Sequence, residues 1–450
     1  MENKNLTLGS LFDGSGGFPL GGLLSGITPV WASEIEPFPI RVTTKRIPFM
    51  KHYGNVCNLK GSELEPVDII TFGSPCQDVS CASNNRKGLN GSRSSLFFEA
   101  IRIIKEMRCK TDGKYPRYAV FENVLGLFSS NKGADFKAVL EAMCSVEGNK
   151  NDVSRPKKWK HAGEILADNY SIAWRVFDAS LWGVPQRRRR IYLVADFRGQ
   201  SAGKILFESE GLSRYSAQSF RAWQSATNAI GTSVDTTSRI CLNDQGGQIM
   251  SVTENMTATL RASAGTPPIV LESHLQDSRY KGPAMVSQPV LSTAPKPYNI
   301  CLKERKNPSS GIYKTEISRT LDTKCNAPSC NQGGMVVVMP QEPVSSNRYR
   351  TVRKLMPSEC ARLQGFPAWW CSELGMENPT EADIEFWVDV FEEYRKIIGK
   401  SNNPKSRKQI IKWLQNPHSD SAEYKMWGNG VVLPNVYFVL AGIVYYSRIM

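Results

Sequence analysis

The sequence predicts an α/β protein: a doubly wound parallel sheet in a Rossmann-like arrangement, joined to a second, smaller, irregular β-rich domain. From residue 6 to about 200, short apolar runs rich in β-branched residues alternate with longer amphipathic ones. Such alternation builds strand–helix–strand units whose helices cover both faces of one sheet. From about residue 201 to 345, Ser, Thr, Asn, Gly and Pro dominate, helical spacing is lost, and short β-like runs such as QIMSV, PPIVL and GMVVVM recur. The length of 450 residues also favours two lobes, because single cores stop growing at about 250 to 300 residues.

In chain order, LTLGSLF, TPVWASEI, VDIITFGS, YAVFENV, SIAWRVFDA and RRIYLVADF read as strands, and residues 95–108 and 134–146 as helices. Helix signals return at MPSECARLQGFP and through residues 380–415, which include the charged amphipathic stretch EFWVDVFEEYRKII. The chain closes with WGNGVVLPNVYFVLAGIVYY, a glycine-rich turn leading into an apolar helix with Pro434 near its start. That apolar run is too short to span a bilayer comfortably and reads as a buried helix. The expected organisation is a catalytic domain over 1–200, a β-rich domain over 201–350, helices and an insertion over 351–420, and a segment over 421–450 that returns to the catalytic domain.

Lys and Arg number 56 against 42 Asp and Glu, a formal net charge of +14 spread along the chain. That balance favours a polyanionic partner. Eleven cysteines without framework spacing follow an N-terminus that lacks an apolar signal segment, a pattern of reduced thiols in a cytoplasmic protein. The four histidines are scattered, and Cys325 and Cys330 have no paired Cys-x-x-Cys or His-x-x-x-His spacing beside them. No metal site and no membrane association are expected.

The chemistry gathers where strands end. SLFDGSGGF places Gly14, Gly16 and Gly17 directly after the first strand, where a tight turn lets backbone approach an adenosine-bearing cofactor. Pro19 breaks the dinucleotide fingerprint, and Glu34 closes the second strand where an acid can take a ribose hydroxyl pair. Together they favour an adenosine cofactor without pyrophosphate. DIITFGSPCQDVSC puts Cys76 after Pro75 at the carboxyl end of a strand, and FENV puts Glu122 and Asn123 at the end of another. A carboxyl in a partly buried mouth has its pKa raised by desolvation and can donate a proton near neutral pH. PQRRRRIYLVA sends four arginines into a strand, with Arg188 and Arg190 on one face and Arg187 and Arg189 on the other.

In this order SLFDGSGGF, SEIEPF, GSPCQDVS, FENV, GVPQRRRRIYLVA, ECARLQGFP and GNGVVLP resemble the motif series of the DNA (cytosine-5)-methyltransferases. The resemblance covers residues 6 to about 200 and both ends of 350–450. It implies an S-adenosylmethionine-dependent methyltransferase sheet, with the β-rich lobe as target-recognition domain. It also implies a double-stranded DNA partner, a monomer, and a bacterial cell or phage-infected host. By the resemblance, a Cys76 thiolate adds to cytosine C6, Glu122 holds or protonates N3, Arg190 contacts the base carbonyl and positions Glu122, and Arg188 supports the cysteine side. A flipped-out base would be enclosed by the loop over residues 77–95, with Gln77, Ser80, Arg93, Asn123 and Gln186 on the substrate side.

For the cofactor, the resemblance implies Phe12, Asp13, Gly14, Gly16 and Gly17 at the turn beside the methionine moiety, and Glu34 at the ribose. Ile35, Asn55, Val56 and Leu96 would surround the adenine, Pro75 would lie near the sulfonium, and Asn429 and Val431 would come from the last motif. Asn55 stands where the family commonly has an acid, and GNG where Gly-Asn-Ser or Gly-Asn-Ala is usual. Residues 372–420 form an unusually long insertion. A tRNA cytosine-5 methyltransferase and a Rossmann-type oxidoreductase are the alternatives, and the latter has no use for Pro-Cys-Gln with Glu-Asn-Val.

Overall fold

Strands form where the six β-branched runs lie, β1 (Thr7–Leu11), β2 (Thr28–Ser33), β4 (Ile69–Phe72), β5 (Tyr118–Val124), β7 (Ser171–Asp178) and β8 (Arg189–Asp196), and also outside them at β3 (Lys51–His52) and β6 (Ala162–Leu166). They make one sheet in the order β3-β2-β1-β4-β5-β8-β7-β6. The computed structural model describes residues 5–75, 95–148, 152–207, 351–399 and 403–449, with strand segments 240–244, 250–254, 257–258, 269–272, 296–300, 312–314 and 334–338. The chain divides into two units, Met1–Asn228 with Arg261–Ser263 and Pro357–Met450, and Ala229–Leu260 with Ala264–Met356.

The sheet corrects one expectation. Strands β1 to β5 are parallel, but β8 runs antiparallel to β5 and β7, and β6 antiparallel to β7. The sheet is therefore mixed. For β6 and β7 the cause is connection length: they are joined through a turn closed by Ala167 N donating to Tyr170 O at 3.0 Å, whereas parallel neighbours need a crossover of about a dozen residues or more.

Alternation along each strand sends side chains to two cores. Ile70, Phe72, Ala119, Phe121 and Leu193 pack with Phe97, Ile101 and Ile104 of α3 (Ser95–Lys110) and Phe136 and Leu140 of the next long helix. Ile69, Tyr118, Val120 and Val194 face the other way, toward Phe18, Ile205, Val436, Val439, Leu440 and Ile443. The helices in chain order are α1 (Gly17–Leu24), α2 (Pro37–Arg46), α3, α4 (Ala134–Cys144), α5 (Ala202–Leu206), α6 (Pro357–Leu363), α7 (Glu381–Ile398), α8 (Arg407–Gln415), α9 (Asp420–Asn429) and α10 (Leu433–Ile449). No single described helix is long and apolar enough to cross a membrane.

The stretch 372–420 builds α7 and α8, each started by a reciprocal capping box, Thr380 with Asp383 and Ser406 with Gln409. Their apolar stripes, Trp387, Val390, Ile410 and Leu414, close on Ile40 of α2. A second correction concerns the glycine-rich turn near the C-terminus, because Trp427–Asn429 complete α9 and the chain leaves helical geometry only from Gly430 until α10 begins at Leu433. The side chain of Glu423, one turn earlier, accepts from Trp427 Nε1 at 2.9 Å and locks that last turn. In the smaller unit, residues 240–244 pair antiparallel with 250–254 and 269–272, and 269–272 with 351–354. Residues 296–300 pair antiparallel with 312–314 and 334–338.

Candidate active site

The carboxyl ends of β1 to β5 lie along one edge of the sheet, and β8 starts at that edge because it runs antiparallel. In register, Glu122 of β5 faces Tyr192 of β8, and Val124 faces Arg190. Glu122 is 7% exposed, and its Oε1 lies 3.2 Å from Arg190 Nε in an ion pair without hydrogen-bond alignment. Desolvation pushes this carboxyl above the usual glutamate range, and the Arg190 and Arg188 charges only partly oppose the shift. The strand that leads to Cys76 arrives beside it, since a Cβ built on Gly73 would stand 3.3 Å from Glu122 Oε2. Ser74 is buried and Pro75 exposed. Cys76, Gln77, Ser80 and Arg93 lie outside the described residues.

The four arginines separate as strand alternation requires. Arg187 and Arg189 are exposed, whereas Arg188 is 2% exposed. Arg188 Nη2 donates to Gly430 O at 2.6 Å and to Gly428 O at 3.3 Å. It thereby pins the GNG segment to the start of β8. Gln186 is fully buried with neither amide atom hydrogen-bonded, while Asn123 turns its Oδ1 back onto Val124 N at 2.8 Å.

Next to this mouth, the turn after β1 bends sharply. Phe12, Gly14 and Gly16 have φ of 55°, 55° and 77°, a region in which glycine carries no Cβ penalty. Asp13 N donates to Ser33 O at 3.1 Å, and Gly14 N to Glu34 Oε2 at 2.8 Å, so the ends of β1 and β2 are tied together. Glu34 Oε1 also accepts from the backbone N–H groups of Ile35 and Glu36 at 2.7 and 2.9 Å. Burial still raises the Glu34 carboxyl. Asp13 is pushed up to about 8, chiefly by desolvation and against a hydrogen bond from Ser10. Its Oδ2 and the hydroxyl of Ser15 are buried without a partner.

The last motif closes on that turn. A Cβ on Gly17 would meet Val431 Cγ2 at 2.4 Å, and one on Gly430 would meet Ser15 Oγ at 2.9 Å. The structure thus brings Gly16, Gly17 and Val431 together, with Asn429 exposed beside them. Leu96 and Ile35 are half-buried, and Val56 is buried. Asn55 spends its Oδ1 on Cys57 N at 3.0 Å.

Sequence reasoning missed three participants. Ser10 holds Asp13, and Tyr192, its hydroxyl buried without a partner, stands opposite Glu122. Glu393 of α7 accepts from Asn55 N at 3.2 Å and from Asn58 Nδ2 at 2.9 Å. Strand alternation in RRIYLVA already put Tyr192 on the face of Arg190, but no local signal tied Glu393 to a turn more than three hundred residues earlier.

Fold and site define an α/β protein whose glycine-rich turn after β1 lies beside a buried carboxyl–arginine pair. The family profile described as C-5 cytosine-specific DNA methylase matches residues 6–416, and the chain belongs to that family. A protein of Escherichia phage P1 named DNA N-6-adenine-methyltransferase is 26% identical over 402 residues, covering 81% of this chain and 53% of that relative. An orphan methyltransferase of Bacillus phage SPR is 29% identical over 189 residues, 41% of this chain and 36% of its own length. A type II methyltransferase of Bacillus subtilis is 30% identical over 187 residues, 41% of each. The chain thus spans about half or less of the length of these relatives. The solved structure of S. pombe Dnmt2 methyltransferase covers 99% of this chain and 100% of its own at a TM-score of 0.45 and 14% identity.

Proposed function

We propose that this protein transfers a methyl group from S-adenosylmethionine to C5 of a cytosine in duplex DNA. The observation that carries the reading is Glu122: a buried carboxyl, its pKa raised by desolvation, 3.2 Å from Arg190 and bordered by Gly73, three residues before Cys76.

Cytosine C5 is a weak nucleophile. Addition of the Cys76 thiolate to C6 makes C5 enamine-like, and a proton held by Glu122 at N3 neutralises the charge that develops. Arg190 fixes Glu122 and reaches the base carbonyl. Bound S-adenosylmethionine supplies an electrophilic methyl group. Once C5 carries it, loss of the C5 proton and β-elimination of Cys76 release the base. The target must leave the helix to reach a carboxyl this buried. Gln186, buried with an unbonded amide, has donors and an acceptor free for the extruded nucleotide.

The crevice residues fit the cofactor. Phe12, Gly14 and Gly16 give a turn open to close approach, and Glu34 keeps lone-pair capacity on Oε2 for ribose hydroxyls. Asp13 Oδ2 and Ser15 Oγ offer buried polar atoms to the methionine end. Ile35, Val56 and Leu96 give apolar cover for adenine, with Asn55 at its edge, Pro75 toward the sulfonium, and Gly17, Asn429 and Val431 closing the site.

The phage P1 relative is named for adenine N6, an exocyclic amine whose methylation needs no thiol addition. Nucleoside analysis of duplex DNA methylated by the purified protein separates the readings. The expected product is 5-methylcytosine, with a Cys76-dependent covalent complex on 5-fluorocytosine DNA. N6-methyladenine as the product, transfer only to tRNA, or full activity in Cys76→Ala would overturn the proposal.

A further inference from the structure

A run of cations borders the Glu122 mouth, and nothing in the reaction above uses it. The segment SRPKKWKH, residues 154–161, leads into β6. Its one buried side chain, Trp159, donates to Gly133 O at 2.9 Å and packs edge-on against Phe136 and Trp174. The backbone is held as well, since Lys160 O accepts from Trp174 Nε1 at 3.1 Å and His161 O from Val176 N at 2.8 Å. Arg155, Lys157, Lys158 and Lys160 are all exposed on this pinned scaffold.

None of the four forms an ion pair among the described residues, and the neighbouring acids are committed elsewhere. Asp152 pairs with Lys137 at 2.6 Å, Glu164 accepts from Gly203 N at 3.0 Å, and Asp178 caps Ser180. The segment is also continuous with the site. Arg190 pairs with Glu122 and donates to Arg189 O at 2.8 Å; the exposed Arg189 guanidinium meets His161 Nδ1 at 3.4 Å. The His161 ring in turn stacks against Phe128, just beyond β5.

A solvated basic face would carry mobile cations interleaved with acids. Here the cations are uncompensated, share one anchored loop, and adjoin the mouth into which a base must be drawn. We infer that Arg155, Lys157, Lys158, Lys160 and Arg189 form a phosphate-binding rim for the backbone of duplex DNA flanking the extruded base. The inference rests on the DNA methyltransferase reading, and it makes the loop a positioning surface that carries no sequence information itself.

The test compares wild type with Lys157→Gln/Lys158→Gln/Lys160→Gln for binding of a mixed-sequence duplex at about 50 to 200 mM salt, the range in which phosphate neutralisation is most visible. Every phosphate that a removed lysine no longer neutralises should flatten the log–log salt dependence by about 0.9, so the triple variant should have a slope shallower by roughly 2 to 3. The triple Lys→Arg variant should keep the slope, and affinity for S-adenosylhomocysteine should be unchanged in both.

An unchanged slope in the triple variant, when the wild type methylates duplex DNA, overturns the rim and leaves the methyltransferase reading standing. A flattened slope in a protein whose product is N6-methyladenine does the reverse. Loss of affinity for folded RNA but not for duplex DNA would overturn the assignment to DNA, and a wild type that binds no duplex would overturn both.

Discussion

Glu122 illustrates how position sets chemistry at the residue scale. A glutamate at the end of an exposed strand would be ionised at neutral pH. This one is enclosed by β8 and Gly73, and desolvation outweighs two arginine charges, so its proton persists to higher pH than in an ordinary glutamate. If that proton neutralises N3, turnover falls as pH rises through the raised pKa, because the deprotonated form cannot donate. Single-turnover methylation across pH should therefore show an alkaline limb attributable to Glu122. Glu122→Gln should lose that limb and, by the usual worth of a positioned general acid, drop in rate by about 10²- to 10⁴-fold. A Gln variant that keeps both the wild-type rate and its alkaline limb would exclude the role. Much at this scale was legible in the sequence: Glu122, Arg188 and Arg190 follow from strand endings and alternation. The raised pKa of Asp13 was not, because it comes from burial in the folded turn and from the nearby Glu34 charge, against the hydrogen bond from Ser10.

At the scale of elements, every described strand in the six apolar runs was legible from β-branched content, yet their directions were not. A buried apolar run reads the same whether its strand points up or down, and only the short Ala167–Tyr170 turn marked β6 and β7 as antiparallel. Helices α7 and α8 were legible as helices but not as supports of α2 and the Asn55–Asn58 turn. They clasp α2 through Trp387, Val390, Ile410 and Leu414, and α2 is further held by Arg41 Nε donating to Leu374 O at 2.7 Å. Lys425 pairs with Glu36 at 2.6 Å, beside Glu34. Glu393 then takes two donors of the Asn55–Asn58 turn. Removing hydrogen bonds to a charged group costs about 1.5 to 3 kcal/mol. Glu393→Ala should thus weaken S-adenosylhomocysteine binding by about tenfold, roughly 1.4 kcal/mol, with duplex affinity unchanged in parallel titrations. An equal loss of both affinities would point to general loosening instead.

For the whole molecule, the informative boundary is residue 416, where the family match ends. Beyond it, α10 contributes Val436, Phe438, Val439, Leu440 and Ile443 to the core that covers β4, β5 and β8. Burying each such side chain is worth about 1.5 to 3 kcal/mol, and total stability is only about 5 to 15 kcal/mol. A chain cut after residue 416 should therefore lack cooperative thermal unfolding, and calorimetry of that fragment beside the full chain checks it.

The interlock of Gly17 with Val431 and of Arg188 with Gly430 has a temporal consequence. The ribosome makes the first turn of the crevice more than four hundred positions before it makes the residues that close it. A chain ending before residue 428 therefore lacks the residues that meet Gly17 and Arg188. If the crevice takes the methyl donor as proposed, a chain stopped short of residue 431 should not bind S-adenosylhomocysteine, which titration of that fragment beside the full chain checks.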